Sequence, residues 1–242
     1  MTTGCTTGLL CLTTLLLPVD EASTTPTSAQ PPADAQSVKP GINRSFLDPE
    51  MDVEKFLDRF EVESREVFAA RERVLDICDI QPGMRVADVG AGTGFYSRLF
   101  ASATGPDGWV YAVDLSPKFA AHINEQAQSG GVENLTTVLC TDRSIRLPPA
   151  SVDRVFICDT YHHFEYPQKT LASIHRALKP GGVLIVIDFE RIPGVSREFI
   201  LGHVRAGKDV FRKEIEAAGF TFDKEVSVPA FQENYLLRFR RP

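Results

Sequence analysis

The sequence predicts a doubly wound α/β domain preceded by helices. Three observations point to it. Short, continuous apolar runs recur between helical segments, as strands buried on both faces of a parallel sheet require. A glycine cluster follows the first run directly, where a strand would turn into a helix. The most apolar run, Val183 to Ile187, is set off from the helical segment before it by Lys179-Pro180-Gly181-Gly182.

In chain order, residues 1–44 stand apart. No Lys or Arg occurs before Lys39, Thr is frequent, and Pro18, Pro26, Pro31, Pro32 and Pro40 break regular structure. Gly8 to Val19 is apolar, too short to span a bilayer but of the length of a signal-peptide core. The extension reads as signal-like, as a disordered tail, or as the product of a misassigned start. Accordingly the chain is either cytoplasmic or exported, and no stable membrane span is expected. Residues 45–242 form the expected domain, with a helical cap over 45–80 and an α/β core over 84–242. In the cap, Asp48-Pro49 is a helix-start signal, and Val53, Phe56, Leu57 and Phe60 recur at helical spacing. Ser64 can cap a second helix carrying Val67, Ala70, Val74, Leu75 and Ile77. Phe46, Phe56 and Phe60 suit either a lid or a packing face, and apolar residues at helical spacing usually pack.

Strands are predicted at Arg85 to Val89, Trp109 to Val113, Leu135 to Cys140, Arg154 to Cys158 and Val183 to Ile187. Helices are predicted over Ser116 to Ala127, Pro167 to Leu178 and Lys208 to Ala218, and two late strands near Thr221 to Val228 and Asn234 to Arg240.

Composition narrows the function. The 242 residues are 43% hydrophobic and 24% charged, ordinary globular values. Lys plus Arg number 26 and Asp plus Glu 32, a formal charge of -6, so the basic footprint of a nucleic-acid-binding domain is missing. The five cysteines are scattered without a C-x-x-C pair, so no disulfide framework and no metal site are expected. Cys78, Cys140 and Cys158 read as small hydrophobes.

Chemistry concentrates in Asp88-Val89-Gly90-Ala91-Gly92-Thr93-Gly94. Glycines at a strand–helix junction let a ligand approach the backbone, and helix-start N–H groups favour a polar partner. A dinucleotide fingerprint needs G-x-G-x-x-G, but Phe95 stands at its third glycine. No Gly-Lys-Ser/Thr follows, so a P-loop is excluded. Asp88, two positions ahead of Gly90, would repel a pyrophosphate and suit an ammonium group. Asp114 ends the next strand, twenty residues after Gly94, where a carboxylate can accept both ribose hydroxyls. It could instead cap the helix that opens at Ser116-Pro117.

The runs VADVGAGTGFYS, VYAVDLS, SVDRVFICDTYHHF and LKPGGVLIVIDF, in that order, resemble class I S-adenosylmethionine-dependent methyltransferases. Within that family they are most similar to the small-molecule group of ubiquinone/menaquinone biosynthesis. The resemblance implies a Rossmann-like seven-stranded sheet of order 3-2-1-4-5-7-6 with strand seven antiparallel. It implies S-adenosylmethionine as cofactor, held at its amino-acid end by Asp88, Gly90, Ala91, Gly92, Thr93 and Gly94. Asp114 would take the ribose, Leu115 would lie beside the adenine, and Asp142 would reach its amino group with Arg143 flanking. Asp159 would border the methyl-transfer site. Tyr161, His162 and His163 lie where the family keeps its substrate loop, and a histidine there can act as base near neutral pH. His203 falls in a segment that often faces substrate. The expected acceptor is a small molecule, since Asp159-Thr160-Tyr161-His162 lacks the Pro-Pro of amino-methylating nucleic-acid enzymes. A nicotinamide-dependent oxidoreductase and a non-catalytic member of the fold are the alternatives. The oligomeric state is left open.

Overall fold

The structure is a computed structural model that describes residues 1–4 and 36–242; the signal-like segment Gly8 to Val19 lies outside the described residues. The chain divides into two units, residues 1–31 and 32–242, and the second carries the fold. Its centre is a seven-stranded sheet of β1 (Arg85–Val89), β2 (Trp109–Asp114), β3 (Leu135–Leu139), β4 (Val152–Cys158), β5 (Leu178–Phe189), β6 (Thr221–Glu225) and β7 (Asn234–Arg240). The spatial order is β3-β2-β1-β4-β5-β7-β6. The first five strands pair in parallel, and β7 runs antiparallel to both β5 and β6. This is the order that the resemblance implied.

Alternation within the strands builds a core on each face. Ala87, Val155, Ile157, Leu184 and Val186 point to one side, with Leu171 and Ile174 of α6 (Pro167–Ala177), Ile200 of α7 (Glu198–His203), and Phe211 and Ile215 of α8 (Lys208–Ala217). Val86, Phe156, Ile185 and Ile187 point to the other, with Val74 and Ile77 of α3 (Arg71–Cys78), Tyr96 and Phe100 of α4 (Phe95–Thr104), and Ile123 of α5 (Pro117–Ser129). Because both faces are covered, the central strands are apolar throughout rather than alternating. Ser116 caps α5, its Oγ accepting the Phe119 N–H at 3.5 Å, and Pro117 occupies the first turn.

Two segments depart from the expectations. The cap is broken into α1 (Glu54–Phe60), α2 (Glu66–Ala69) and α3. Asp48-Pro49 starts no helix: Asp48 accepts the Glu50 N–H in a turn, and α1 opens only after Asp52 accepts the Glu54 N–H. Ser64 is not a cap either, since α2 begins after Arg65. The packed unit also begins earlier than residue 45. Val38 N–H donates to Glu165 O, Lys39 reaches the carbonyls of Gly202 and His203, and Asn43 is buried. Second, Lys179-Pro180-Gly181-Gly182 is not a turn. β5 runs through it, because Gly181 N–H donates to Arg241 O and Arg241 N–H to Gly182 O, extending the pairing to the chain end.

Phe100 is fully buried between Tyr96, at 5.8 Å between ring centroids, and Phe156, at 5.1 Å. Phe100→Ala is expected to destabilise the unit by about 3–5 kcal/mol through lost burial and a cavity. Urea unfolding checks this as a lower midpoint at unchanged slope.

Candidate active site

Strand order reverses between β1 and β4, and in such sheets a crevice opens beyond the strand ends at that point. Here the crevice is a cavity of about 780 Å3. The glycine loop forms one wall. Gly90 sits at φ +76°, and a Cβ on it would lie 2.2 Å from Thr160 Cγ2, so only glycine lets the β1 and β4 loops meet. Gly92, at φ +56°, differs: a Cβ there would meet nothing nearer than the Phe60 ring at 3.7 Å. Its backbone therefore faces the open cavity.

Two buried carboxylates flank the loop. Asp114 Oδ2 accepts the Gly92 N–H at 2.8 Å, and Oδ1 accepts the Ser116 N–H at 2.8 Å. Asp114 therefore does not itself cap α5, which Ser116 does; it ties the glycine loop to that cap residue. Burial pushes its carboxyl up to about 6, against the opposing pull of those N–H groups. Asp88 Oδ2 accepts the Ser97 hydroxyl at 2.6 Å. Burial pushes Asp88 up to about 7; the Ser97 bond opposes this and the Asp114 charge adds to it.

The other predicted residues distribute as follows. Ala91, Thr93, Leu115, Asp142 and Asp159 line the cavity with Asp88, Gly90, Gly92 and Asp114. Gly94 lies behind the wall as the cap of α4, its Cβ position 2.7 Å from Ile123. Arg143 is not on the cavity wall; its guanidinium stacks over the Tyr166 ring at 3.9 Å. Cys140 and Cys158 are also wall residues, and burial pushes the Cys140 thiol up to about 12, so it stays neutral. Asp159, a non-glycine residue at φ +48°, receives Arg65 Nη2 and Asn234 Nδ2, each at 2.7 Å.

The segment after β4 is a 3₁₀ turn over Tyr161–His163, and it separates the three candidates. With about three residues per turn, neighbouring side chains leave in different directions. Tyr161 goes into the core against Phe164 and Phe211 and donates its hydroxyl to Glu214 at 2.9 Å, so it is withdrawn from the catalytic set. His162 and His163 line the cavity. His162 Nδ1 lies 2.7 Å from Asp188 Oδ1, and its backbone N–H donates to Asp188 Oδ2 at 3.0 Å. His163 Nδ1 lies 3.2 Å from Asn43 Oδ1. His203, from the end of α7, brings Nε2 to 3.2 Å from His163 Nε2. One ring nitrogen from each of the three histidines lies within 4.8 Å of the other two. No local spacing announces this cluster, because His203 is 40 residues beyond His163 and folding alone unites them. Burial first, then the His162 imidazole and Lys39, lower His203 to about 4, and burial pushes His163 well below its usual value.

The opposite wall is aromatic. Phe46, Phe56 and Phe60 are half-buried and meet Phe119 at 6.1, 5.4 and 6.4 Å between centroids. They pack on one another and also line the cavity, so their helical spacing serves a cavity wall rather than a closed core. Sequence reasoning missed Arg65, Asn43, Asp188 and Asn234. For Asp188 the end of the VLIVI strand was an available signal; the others gave none.

Residues 87–186 match the family model described as a methyltransferase domain. Outside that stretch the unit shares the fold of class I S-adenosylmethionine-dependent methyltransferases. A ubiquinone/menaquinone biosynthesis C-methyltransferase UbiE of Bordetella avium is 32% identical over 114 residues, 47% of this chain and 44% of that protein. The counterpart in Ralstonia pickettii is 31% identical over 114 residues, 47% of this chain and 46% of that protein. The chain thus spans under half the length of these relatives. Among solved structures, a SAM-dependent methyltransferase from Aquifex aeolicus superposes with a TM-score of 0.70 at 25% identity, over 80% of this chain and all of that one. The [4+2]-cyclase SpnF shares the fold, with a TM-score of 0.62 at 18% identity over 72% of this chain and 82% of that one. The methyltransferase fold therefore does not by itself fix a reaction.

The two raised carboxyls give this domain a pH signature. Each binds its proton more tightly folded than unfolded, so stability falls as pH rises from about 4 towards about 7. Asp88→Asn is expected to raise the urea midpoint at pH 8, with the gain shrinking at pH 5. An equal gain at both would assign the effect to another group.

Proposed function

We propose that this domain transfers a methyl group from S-adenosylmethionine to a small organic acceptor seated between the aromatic wall and the histidines. The observation that carries it is Gly92, whose backbone opens onto the cavity between two buried carboxylates at the ends of β1 and β2. That donor set suits a cationic nucleoside better than a dinucleotide, since Asp88 would face a pyrophosphate with like charge. Each Asp114 oxygen holds one backbone N–H and has a second lone pair for a ribose hydroxyl. An ammonium group beside Asp88 favours the ionised carboxylate. Asp142, exposed after β3, and Leu115 would hold the base.

When bound, the cofactor supplies an electrophilic methyl group on a sulfonium. The protein's part is alignment of an acceptor and exclusion of water. Phe46, Phe56 and Phe60 provide a dry, flat-sided wall for a ring-bearing acceptor. Where the acceptor atom carries a proton, His162 is placed to take it: Asp188 holds its Nδ1, as the carboxylate does in an Asp–His pair, and Nε2 is left as the base. The partial similarity to quinone-biosynthesis C-methyltransferases supports a small acceptor with an activated carbon or oxygen.

Incubation with methyl-labelled cofactor and a panel of quinones, phenols and amines tests the proposal, and label in a phenol or quinone is the expected outcome. S-adenosylhomocysteine should bind and NAD should not; the reverse would overturn the reading. Asp114→Ala is expected to cost about 1–3 kcal/mol of S-adenosylhomocysteine affinity. Calorimetry reads this as a weakening of roughly 5- to 150-fold.

A further inference from the structure

The histidine cluster carries an inference independent of the cofactor site and alternative to the base role of His162, because it rests on three imidazoles and their supports. Asn43 Nδ2 donates to His163 O at 3.0 Å, which turns the amide oxygen towards His163 Nδ1. An oxygen there places the His163 proton on Nδ1 and leaves Nε2 as a bare lone pair. Asp188 does the same for His162, whose Nδ1 it holds at 2.7 Å. His162 Nε2 is therefore a bare acceptor as well; the residue is 1% exposed, and this nitrogen has no hydrogen-bond partner. A buried acceptor without a donor is costly. A single proton on His203 Nε2 can serve one of the two lone pairs, whereas a cation can serve all three nitrogens.

We propose that His162, His163 and His203 bind a divalent transition-metal ion of the zinc type, one ring nitrogen from each, with a fourth position open to the cavity. Zinc–nitrogen bonds of about 2.0–2.1 Å set tetrahedral ligand nitrogens about 3.3–3.4 Å apart. The His163–His203 pair already stands at 3.2 Å, and small imidazole rotations close the other edges from within 4.8 Å. The supports are those of a metal centre. Asp188 under His162 and Asn43 under His163 fix tautomer and ring orientation, as outer partners of ligating histidines do. His203 is stacked on Phe199 at 5.0 Å and 16°. Lys39 and Arg59 are cations that act on His203, with the Asp188 carboxylate opposing them, and the Lys39 ammonium is turned onto the carbonyls of Gly202 and His203. Three neutral imidazoles select zinc, copper, iron or nickel over magnesium or calcium. With the ion in place these nitrogens act as ligands, and His162 no longer serves as a base.

The test uses the full chain, stripped with a chelator and titrated with Zn2+ against a chromophoric competitor. One Zn2+ per chain at sub-micromolar affinity is expected, with no competition from a large excess of Mg2+. Co2+ should give the intense visible band of a four-coordinate site. His203→Ala, which keeps all five cysteines and the other four histidines, should weaken Zn2+ binding by about 100-fold or more while leaving the circular dichroism of the metal-free chain unchanged. Should that variant misfold, His203→Gln carries the same expectation. Absence of stoichiometric binding, or equal affinity in a folded His203 variant, overturns the proposal. S-adenosylhomocysteine binding, measured on the same metal-free samples, reports separately on the cofactor site.

Discussion

The Asp114 carboxylate is the tie on which the site depends. Its two oxygens take N–H groups from different elements, Gly92 in the loop after β1 and Ser116 at the start of α5. Each is a hydrogen bond to a charged acceptor, of the class worth about 1.5–3 kcal/mol. Together they fix where the glycine loop stands relative to the end of β2. The same residue is deep enough that burial raises its carboxyl, so the tie carries a cost that the two N–H groups only partly offset. Each oxygen accepts one N–H and keeps a second lone pair that a polar ligand's donor can fill.

The cap is held by the same kind of contact rather than by helix packing alone. The α1 helix has no fully buried residue, and α2 is a single turn. Arg98 bonds both Glu61 oxygens and Thr93 O, joining the end of α1 to the glycine loop. Arg65 reaches Asp159 beyond β4, and Glu66 accepts the N–H groups of Gln232, Glu233 and Asn234 at the start of β7. The aromatic wall is thereby positioned by charged ties at its foot.

The sheet was legible because burial on both faces makes strands apolar throughout: β1 and β7 have the bounds their sequences announce. The glycine loop and Asp114 were legible because close ligand approach demands particular residues at particular spacing. Other features were not. Apolar spacing in the cap looked like a continuous core face, yet it marks a cavity wall, since periodicity reports that a face is apolar and not what it meets. Pro180 and the glycines after it looked like a stop, but pairing with the chain end at Arg241 carries the strand through them. Tyr161 shared a triplet with two cavity histidines and was sent elsewhere by a turn of three residues. The meeting of His203 with His163 is long-range topology, and no local pattern encodes it.

The contacts of Asp159 have a practical consequence for anyone choosing where to cut this chain. The stretch that matches the family model, 87–186, contains every glycine of the loop but omits Arg65, Asp188, Asn234, Asn43 and His203. A fragment trimmed to that stretch would leave a carboxylate deprived of both its partners and a histidine without its carboxylate. Recombinant boundaries, and comparisons confined to the shared segment, should therefore reach back to the residues before Asn43 and forward to the last strand.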